Sequence, residues 1–189
     1  VQESTHANST FHGCYLPNGR QFVDHHTRID HAQPDGQSNE LYKGLAADNS
    51  TAVFNGKIMV HKDAQRIEAY QSNANLLLGE QASMYSKPEL EIYADDVVCS
   101  HGSTSGAINE QALFYLCSRG ISKNDATDML TLAFLTEAID EIENENKRIL
   151  VPTWGMNYEY LINKRFGIGL KTEIEFADYF IIDRENIEI

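Results

Sequence analysis

Cys99-Ser100-His101 sets a thiol and an imidazole two positions apart. In an extended strand, residues i and i+2 leave the same face with Cα atoms about 6.5–7 Å apart. Both side chains could then reach one soft metal or the edge of a sulfide-bridged iron cluster; on a helix they would diverge. Two ligands alone bind a metal poorly, so a site here needs donors from elsewhere, including a second subunit. If Val98 continues the inward phase of Leu90 and Ile92, Cys99 and His101 point outward onto a ledge that a partner can reach. The simpler alternative is a Cys packed as a small hydrophobe and a His bonded to a loop carbonyl.

"VDHHTRIDH", residues 23–31, is a second constellation. His25, Thr27 and Ile29 share one strand side and His31 continues it, so His25, His26 and His31 with Asp24 and Asp30 could furnish a metal-binding face. The spacing is diagnostic of no named metal site, and histidines at solenoid corners often just bond backbone. His12-Gly13-Cys14 is a weaker thiol–imidazole pair in which Gly13 predicts a bend. Nucleophilic hydrolysis finds little support, since there is no GxSxG elbow. Glu89/Glu91 and Asp95/Asp96 read as a wet strand face and a turn. With neither GxxxxGK[ST] nor GxGxxG, the chain has no phosphate cradle of its own, and another protein must supply any nucleotide energy.

The whole chain narrows the choice. Its 189 residues suit one domain with a real core, and 15 basic against 28 acidic residues give a net charge of −13. That surface repels phosphate backbones, and the cations are scattered, which argues against nucleic acid. No apolar run could cross a bilayer and no signal-peptide pattern opens the chain. The missing initial Met suggests a fragment. Cys14, Cys99 and Cys117 are odd in number and far apart, so they form no disulfide framework and fit a reducing cytoplasm.

Three regions must position these residues. From Phe11 to about Ser105, short alternating runs dominate. "ELEIY" sets Leu90 and Ile92 against Glu89, Glu91 and Tyr93, and "FNGKIMVH" alternates Phe54, Ile58 and Val60, with Asn55-Gly56 as a turn or bend signal. The runs recur at roughly 16 to 18 residues, and Ala64-x-x-Ile67 is echoed by Ala82-x-x-Tyr85, with no helix between. Evenly spaced strands suit a β-solenoid or an antiparallel sandwich. Next, Asn109 caps a helix carrying Ala112, Leu113 and Leu116 on one face and ending at Gly120. Ser122, with Asp125, caps a second helix whose stripe is Met129, Leu132, Ala133, Ile139 and Ile142, making an αα-hairpin before Pro152. Such a stripe is more often packed on its own domain than offered to a partner. In residues 151–189, "TEIEFADYFIID" looks like strand and "FGIGL" like a bend, with no functional reading.

Over residues 40–122, "ELYKGL…AVFNGKIMVH…DAQRIEAYQSNANLLL…KPELEIYADDVVCSHGSTSGAINEQALFYLCSRGIS", the sequence closely resembles the SufD family of the SUF machinery for iron–sulfur cluster assembly. The likeness extends upstream through "GCYLPNGRQFVDHHTRIDHAQP" and downstream to about residue 150. It implies a mainly β fold, a right-handed parallel β-helix over residues 1–108 followed by a small helical domain at 109–150, with 151–189 an extension of unknown role. The chain would be a non-catalytic scaffold pairing with a SufB-like paralogue through the β-helix and docking a SufC-like ATPase through its helices. The family's cluster-associated His lies in "CSHG" and matches His101, beside Cys99, implying a transient Fe–S cluster or iron shared with the partner and no nucleotide on this chain. Phe114, Tyr115 and Arg119 fall in the segment resembling the SufC-docking region. SufB-like chains carry a Cys-bearing segment where this one reads "YQSNANLLL" and His-Glu-Ala-Thr where it reads "SHGST", so the resemblance is to SufD. The family's N-terminal helical region and first rungs are missing. The uncapped rung predicts homodimer pairing when SufB is absent. Residues 151–189 depart from the family's usual C-terminus. Two other readings stay open: a β-helix carbohydrate-active enzyme using His25, His26 and acidic neighbours, and a purely structural dimerisation module.

Overall fold

The computed structural model describes residues 1–140 in full and, beyond them, the backbone of Ile149–Thr153, Met156–Tyr160 and Thr172–Glu173. Seven strands come first: β1 (Asn8–Tyr15), β2 (Phe22–His31), β3 (Gln37–Ala46), β4 (Thr51–Val60), β5 (Ile67–Leu77), β6 (Ser83–Ile92) and β7 (Val97–Ala107). They alternate between two sheets. β1-β3-β5-β7 form one and β2-β4-β6 the other, with every pairing parallel. The chain is therefore a parallel β-helix of about three turns. His25 pairs with Phe54 and Phe54 with Ser86, so a full turn takes about 30 residues. The 16-to-18-residue interval is half a turn, the step from one sheet to the other.

Period-two patterning produces this arrangement because both sheets bury one face against each other. Phe54, Ile58 and Val60 are fully buried, as the alternation in β4 predicts. Ile29, Ile58 and Ile67 stack with Val60, Ala64, Ala69 and Ala94 into an apolar core, which Leu90, Val97 and Cys99 flank. Tyr15, Val23, Ala52 and Phe54 form a second cluster. The Ala64/Ala82 echo does not share a phase, since Ile67 is buried and Tyr85 exposed.

Corners repeat once per turn. His6, Asp35 and Arg66 all adopt φ near +60°, an unusual state for non-glycine residues, and each donates its N–H to the next corner. The Arg66 guanidinium clasps the Asp35 carboxylate at 2.6 and 2.7 Å, fixing one corner upon another.

Asn55-Gly56 is not a turn; it lies mid-strand in β4. A Cβ at Gly56 would run into the Gln71 carboxamide, so glycine lets that side chain cross the interior. Gly13 likewise makes no bend, because β1 runs straight through it and the Tyr42 ring fills the space where its Cβ would be.

Two helices follow, α1 (Glu110–Ser118) and α2 (Lys123–Asp140). Asn109 Oδ1 accepts from the Gln111 and Ala112 amides, and Gly120 ends the first helix at φ +87°. Ser122 Oγ accepts from the Asp125 amide at 3.2 Å and donates to its carboxylate at 2.6 Å. The stripe expected on α2 is displaced. Its buried residues are Ala126, Leu135 and Ala138, whereas Met129, Leu132 and Ala133 are exposed. Leu135 and Ala138 pack on Cys14, with Leu16, Leu41, Phe134 and Ile139 around them. Lys43, nearly buried beneath the helix, bonds Glu137 Oε2 at 2.5 Å and lies 4.5 Å from the Phe134 ring centroid. α2 is thus strapped to the outer face of β1 and β3.

The strands β8 (Ile149–Thr153), β9 (Met156–Tyr160) and β10 (Thr172–Glu173) form a small antiparallel sheet, β10-β9-β8. Ile142, "FGIGL" and most of "TEIEFADYFIID" lie outside the described residues.

Candidate functional site

Among the described residues β6 and β7 are the last strands of their sheets, which leaves the third turn of the solenoid open at one end there. The two edges differ. β6 carries Pro88 at its middle between Lys87 and Glu89, and a proline with charged neighbours blunts an edge. β7 has no proline and reads "VVCSHGSTSGA", exposed along most of its length. Its backbone edge can accept another strand.

The phase of β7 is opposite to the one expected. Val98 is 58% exposed, while Val97 and Cys99 pack against the apolar core. Cys99 therefore faces inward, and His101, of the same parity, shares its side. They do not sit on an outer ledge. His101 is nonetheless exposed, because the turn that would cover it is absent from the described residues. The imidazole stands at the mouth of the interior, reachable by anything that caps the open turn.

Burial pushes the Cys99 thiol above its ordinary range, partly offset by a backbone hydrogen bond from Ala69. A thiolate there must overcome desolvation, so proton release would accompany any metal binding by this sulfur. His101 is the more available of the two donors.

Behind His101 the interior is polar. Cross-strand register stacks Glu40, Gln71 and His101 in one column, and Tyr42, Asn73 and Ser103 in the next. Glu40 is fully buried, and Gln71 Nε2 donates to its Oε2 at 2.5 Å. Burial raises the Glu40 carboxyl above the usual range, opposed by that hydrogen bond. Beside this column, Asn73 Nδ2 donates to the Tyr15 hydroxyl and Asn73 Oδ1 accepts from Asn75 Nδ2 and Ser86 Oγ. Ser103 Oγ donates to Ser86 Oγ at 2.7 Å, carrying the network to the open strand. This interior was missed in the sequence because Gln71, Asn73 and Asn75 alternate as cleanly as apolar residues would. The alternation identified the strand but not which face was inside.

The histidine-rich strand β2 is not a metal face. His25 and His31 do point to one side, but that side is the interior. The His25 ring packs at 5.0 Å from Tyr15 and 6.2 Å from Tyr42, and His31 is fully buried with a ring nitrogen 2.9 Å from Ser38 Oγ. His26 projects the other way, exposed and paired with Asp24 at 2.8 Å. His25 and His26 therefore cannot share one groove, as the carbohydrate-enzyme reading requires. Among the described residues no three His, Cys, Asp or Glu side chains gather to hold a metal. Cys99 and His101 lie on one strand side with no third such side chain gathered beside them among the described residues.

On the helical hairpin, Phe114 is 74% and Tyr115 55% exposed, and Arg119 lies 4.9 Å over the Tyr115 ring. Met129 and Leu132 are exposed on α2. α2 buries Leu135 and Ala138 on the solenoid, whereas α1 has no buried residue, so these apolar side chains stand exposed among the described residues. No helix among the described residues is long and apolar enough to cross a membrane.

A two-sheet parallel β-helix with a helical hairpin on its flank and an open last turn defines the class of protein. The family model described as SUF system FeS cluster assembly, SufBD core domain, matches residues 1–134, and the chain belongs to that family of iron–sulfur cluster assembly proteins. It is 41% identical over 130 residues to the iron–sulfur cluster assembly protein SufD of Escherichia coli, covering 69% of this chain and 31% of that protein. It is 43% identical over 124 residues to an iron–sulfur cluster assembly SufBD family protein of Synechocystis, covering 66% and 27%. To the chloroplastic protein ABCI7 of Arabidopsis thaliana it is 38% identical over 141 residues, covering 74% and 29%. The chain thus spans less than a third of the length of these relatives.

Proposed function

We propose that the chain acts as a non-catalytic scaffold subunit in SUF iron–sulfur cluster assembly, pairing through its open turn with a SufB-like paralogue. The observation that carries this reading is His101, exposed at the interior's mouth beside a strand edge able to pair. A paralogue adding strands to β7 would bring donors of its own to His101 and Cys99. A nascent cluster, or iron, would be held between the subunits as cargo. Imidazole can replace thiolate at some irons. Incomplete ligation by one subunit suits a scaffold that must release what it assembles.

The exposed Phe114 and Tyr115 of α1, with Arg119 over the Tyr115 ring, and the exposed Met129 and Leu132 of α2 are the side chains offered to a SufC-like ATPase, which brings the nucleotide site. α2 is tied to β1 and β3 by Lys43–Glu137 and the Cys14 cluster, so force on the hairpin reaches the solenoid.

Co-expression with candidate SufB and SufC partners tests the assembly. The expected result is one complex of three components, with the SufC-like ATPase lost from the Phe114→Ala/Tyr115→Ala double variant and the paralogue retained. A full-length parent chain that recovers neither partner would overturn the reading.

A further inference from the structure

Gln71 has an unmet acceptor. It is 3% exposed, its Nε2 is committed to Glu40, and its Oε1 has no hydrogen-bond partner among the described residues. Gly56 is kept free of a side chain where this carboxamide lies, so the amide's placement is built into two strands. A buried carbonyl oxygen left without a donor is costly, and native interiors usually supply one. Gln71 is paired with Glu40 on one side and with His101 on the other. Glu40 takes the amide N–H. Gln71 and His101 are not bonded in this structure, where His101 is exposed, but the His101 ring is the register neighbour that can turn inward and offer an N–H on the remaining side.

We propose that Gln71, anchored by Glu40, is a positioning residue for His101: its Oε1 accepts a hydrogen bond from one ring N–H, leaving the other ring nitrogen unprotonated and free to act as a ligand at the open turn. A histidine ligand ordinarily donates its second N–H to a fixed acceptor, which sets tautomer and ring orientation. Here a buried carboxyl orients an amide and the amide orients the imidazole. The purpose assigned to this chain of contacts rests on His101 being the ligand proposed above, but the hydrogen bond itself can be read without iron.

The test is imidazole nitrogen-15 NMR on the full chain, metal-free, at a pH where the His101 ring is neutral. One tautomer should dominate, and the ring N–H should exchange with water about tenfold or more slower than in a free imidazole, the equivalent of one net hydrogen bond. Gln71→Leu should abolish both signatures. Should that variant fail to fold, Glu40→Leu and Glu40→Gln carry the test. The first lets the amide rotate and loses protection; the second keeps an acceptor for Gln71 Nε2 and retains it. A wild-type ring with free-histidine exchange and tautomer ratio overturns the proposal. So does protection that survives Gln71→Leu, or Glu40→Leu and Glu40→Gln behaving alike. Because no iron is present, a protected ring combined with normal cluster formation by His101→Ala would sink the ligand reading and leave this contact standing.

Discussion

Acidification should destabilise the solenoid through His25, and the size can be worked from its surroundings. The ring lies against Tyr15 and Tyr42, its Nε2 has no hydrogen-bond partner among the described residues, and burial lowers its pKa from 6.5 to about 4. The folded state therefore holds a neutral imidazole where the unfolded chain takes up a proton. Below pH 6.5 the unfolded state binds more protons, so stability present above that pH is lost progressively as pH falls to about 4, and little changes further down. A gap of that size corresponds to a ceiling on the order of 3 kcal/mol. His31 is shifted the same way by burial, so wild type alone would not isolate the effect. The difference between wild type and His25→Phe does, because phenylalanine fits among the two tyrosine rings and cannot titrate. Guanidinium unfolding followed by far-ultraviolet circular dichroism at half-unit steps from pH 4 to 7.5 should show the two stability curves converging or crossing on acidification. Curves that stay parallel across that window would refute the assignment of a buried neutral ring.

Further outcomes follow from the same interior. Glu40→Gln should show the opposite pH trend: the raised carboxyl favours the folded state while protonated, so wild type should lose stability relative to the variant as pH rises above 4.5, measured by the same unfolding series. Gly56→Ala should cost about 1–3 kcal/mol by driving a methyl into the Gln71 carboxamide and the edge of the Phe54 ring, and Gln71→Ala should recover part of that in a double-mutant cycle; strict additivity would count against the Gln71 contact. Glu137→Ala, which strips the nearly buried Lys43 of its carboxylate, should destabilise by about 2 kcal/mol. Lys43→Met, keeping the stem on Phe134, should cost less than about 1 kcal/mol in the same thermal or denaturant assay.

Much of this architecture was legible in the residues, and where it was not the reason is physical. β4 declared itself because buried Phe54, Ile58 and Val60 alternate with outward Asn55, Lys57 and Met59, and the helix boundaries because Asn109, Gly120 and Ser122 each meet orphan backbone groups. β7 was placed as a strand but its phase was inverted: Val97 and Val98 are adjacent and equally apolar, and the Asp95-Asp96 turn resets the alternation carried by Leu90. The α2 stripe was displaced because that helix has apolar residues on two sides, one packed on Cys14 and one uncovered. Asn55-Gly56 misled because a glycine that admits a neighbour's side chain looks the same in sequence as one that turns the chain. The left-handed corners at His6 and Asp35 use residue types enriched at positive φ, but that preference is too weak to single them out among the chain's many His and Asp, and Arg66 carries no such signal. Of the site, the type and spacing of Cys99 and His101 were readable; the buried Glu40 and Gln71 behind His101 became visible only once the turns were stacked.

In the proposed function the His101 imidazole at the open turn supplies ligation that a second subunit completes. Anaerobic reconstitution of the complex with iron and sulfide, followed by the charge-transfer absorbance of the cluster, reads that ligation out. His101→Ala should lose most of that absorbance while the subunits still assemble, and Cys99→Ala, which removes a packed thiol rather than the exposed donor, should retain the larger part. Undiminished cluster formation in the His101→Ala complex would remove His101 from the ligation.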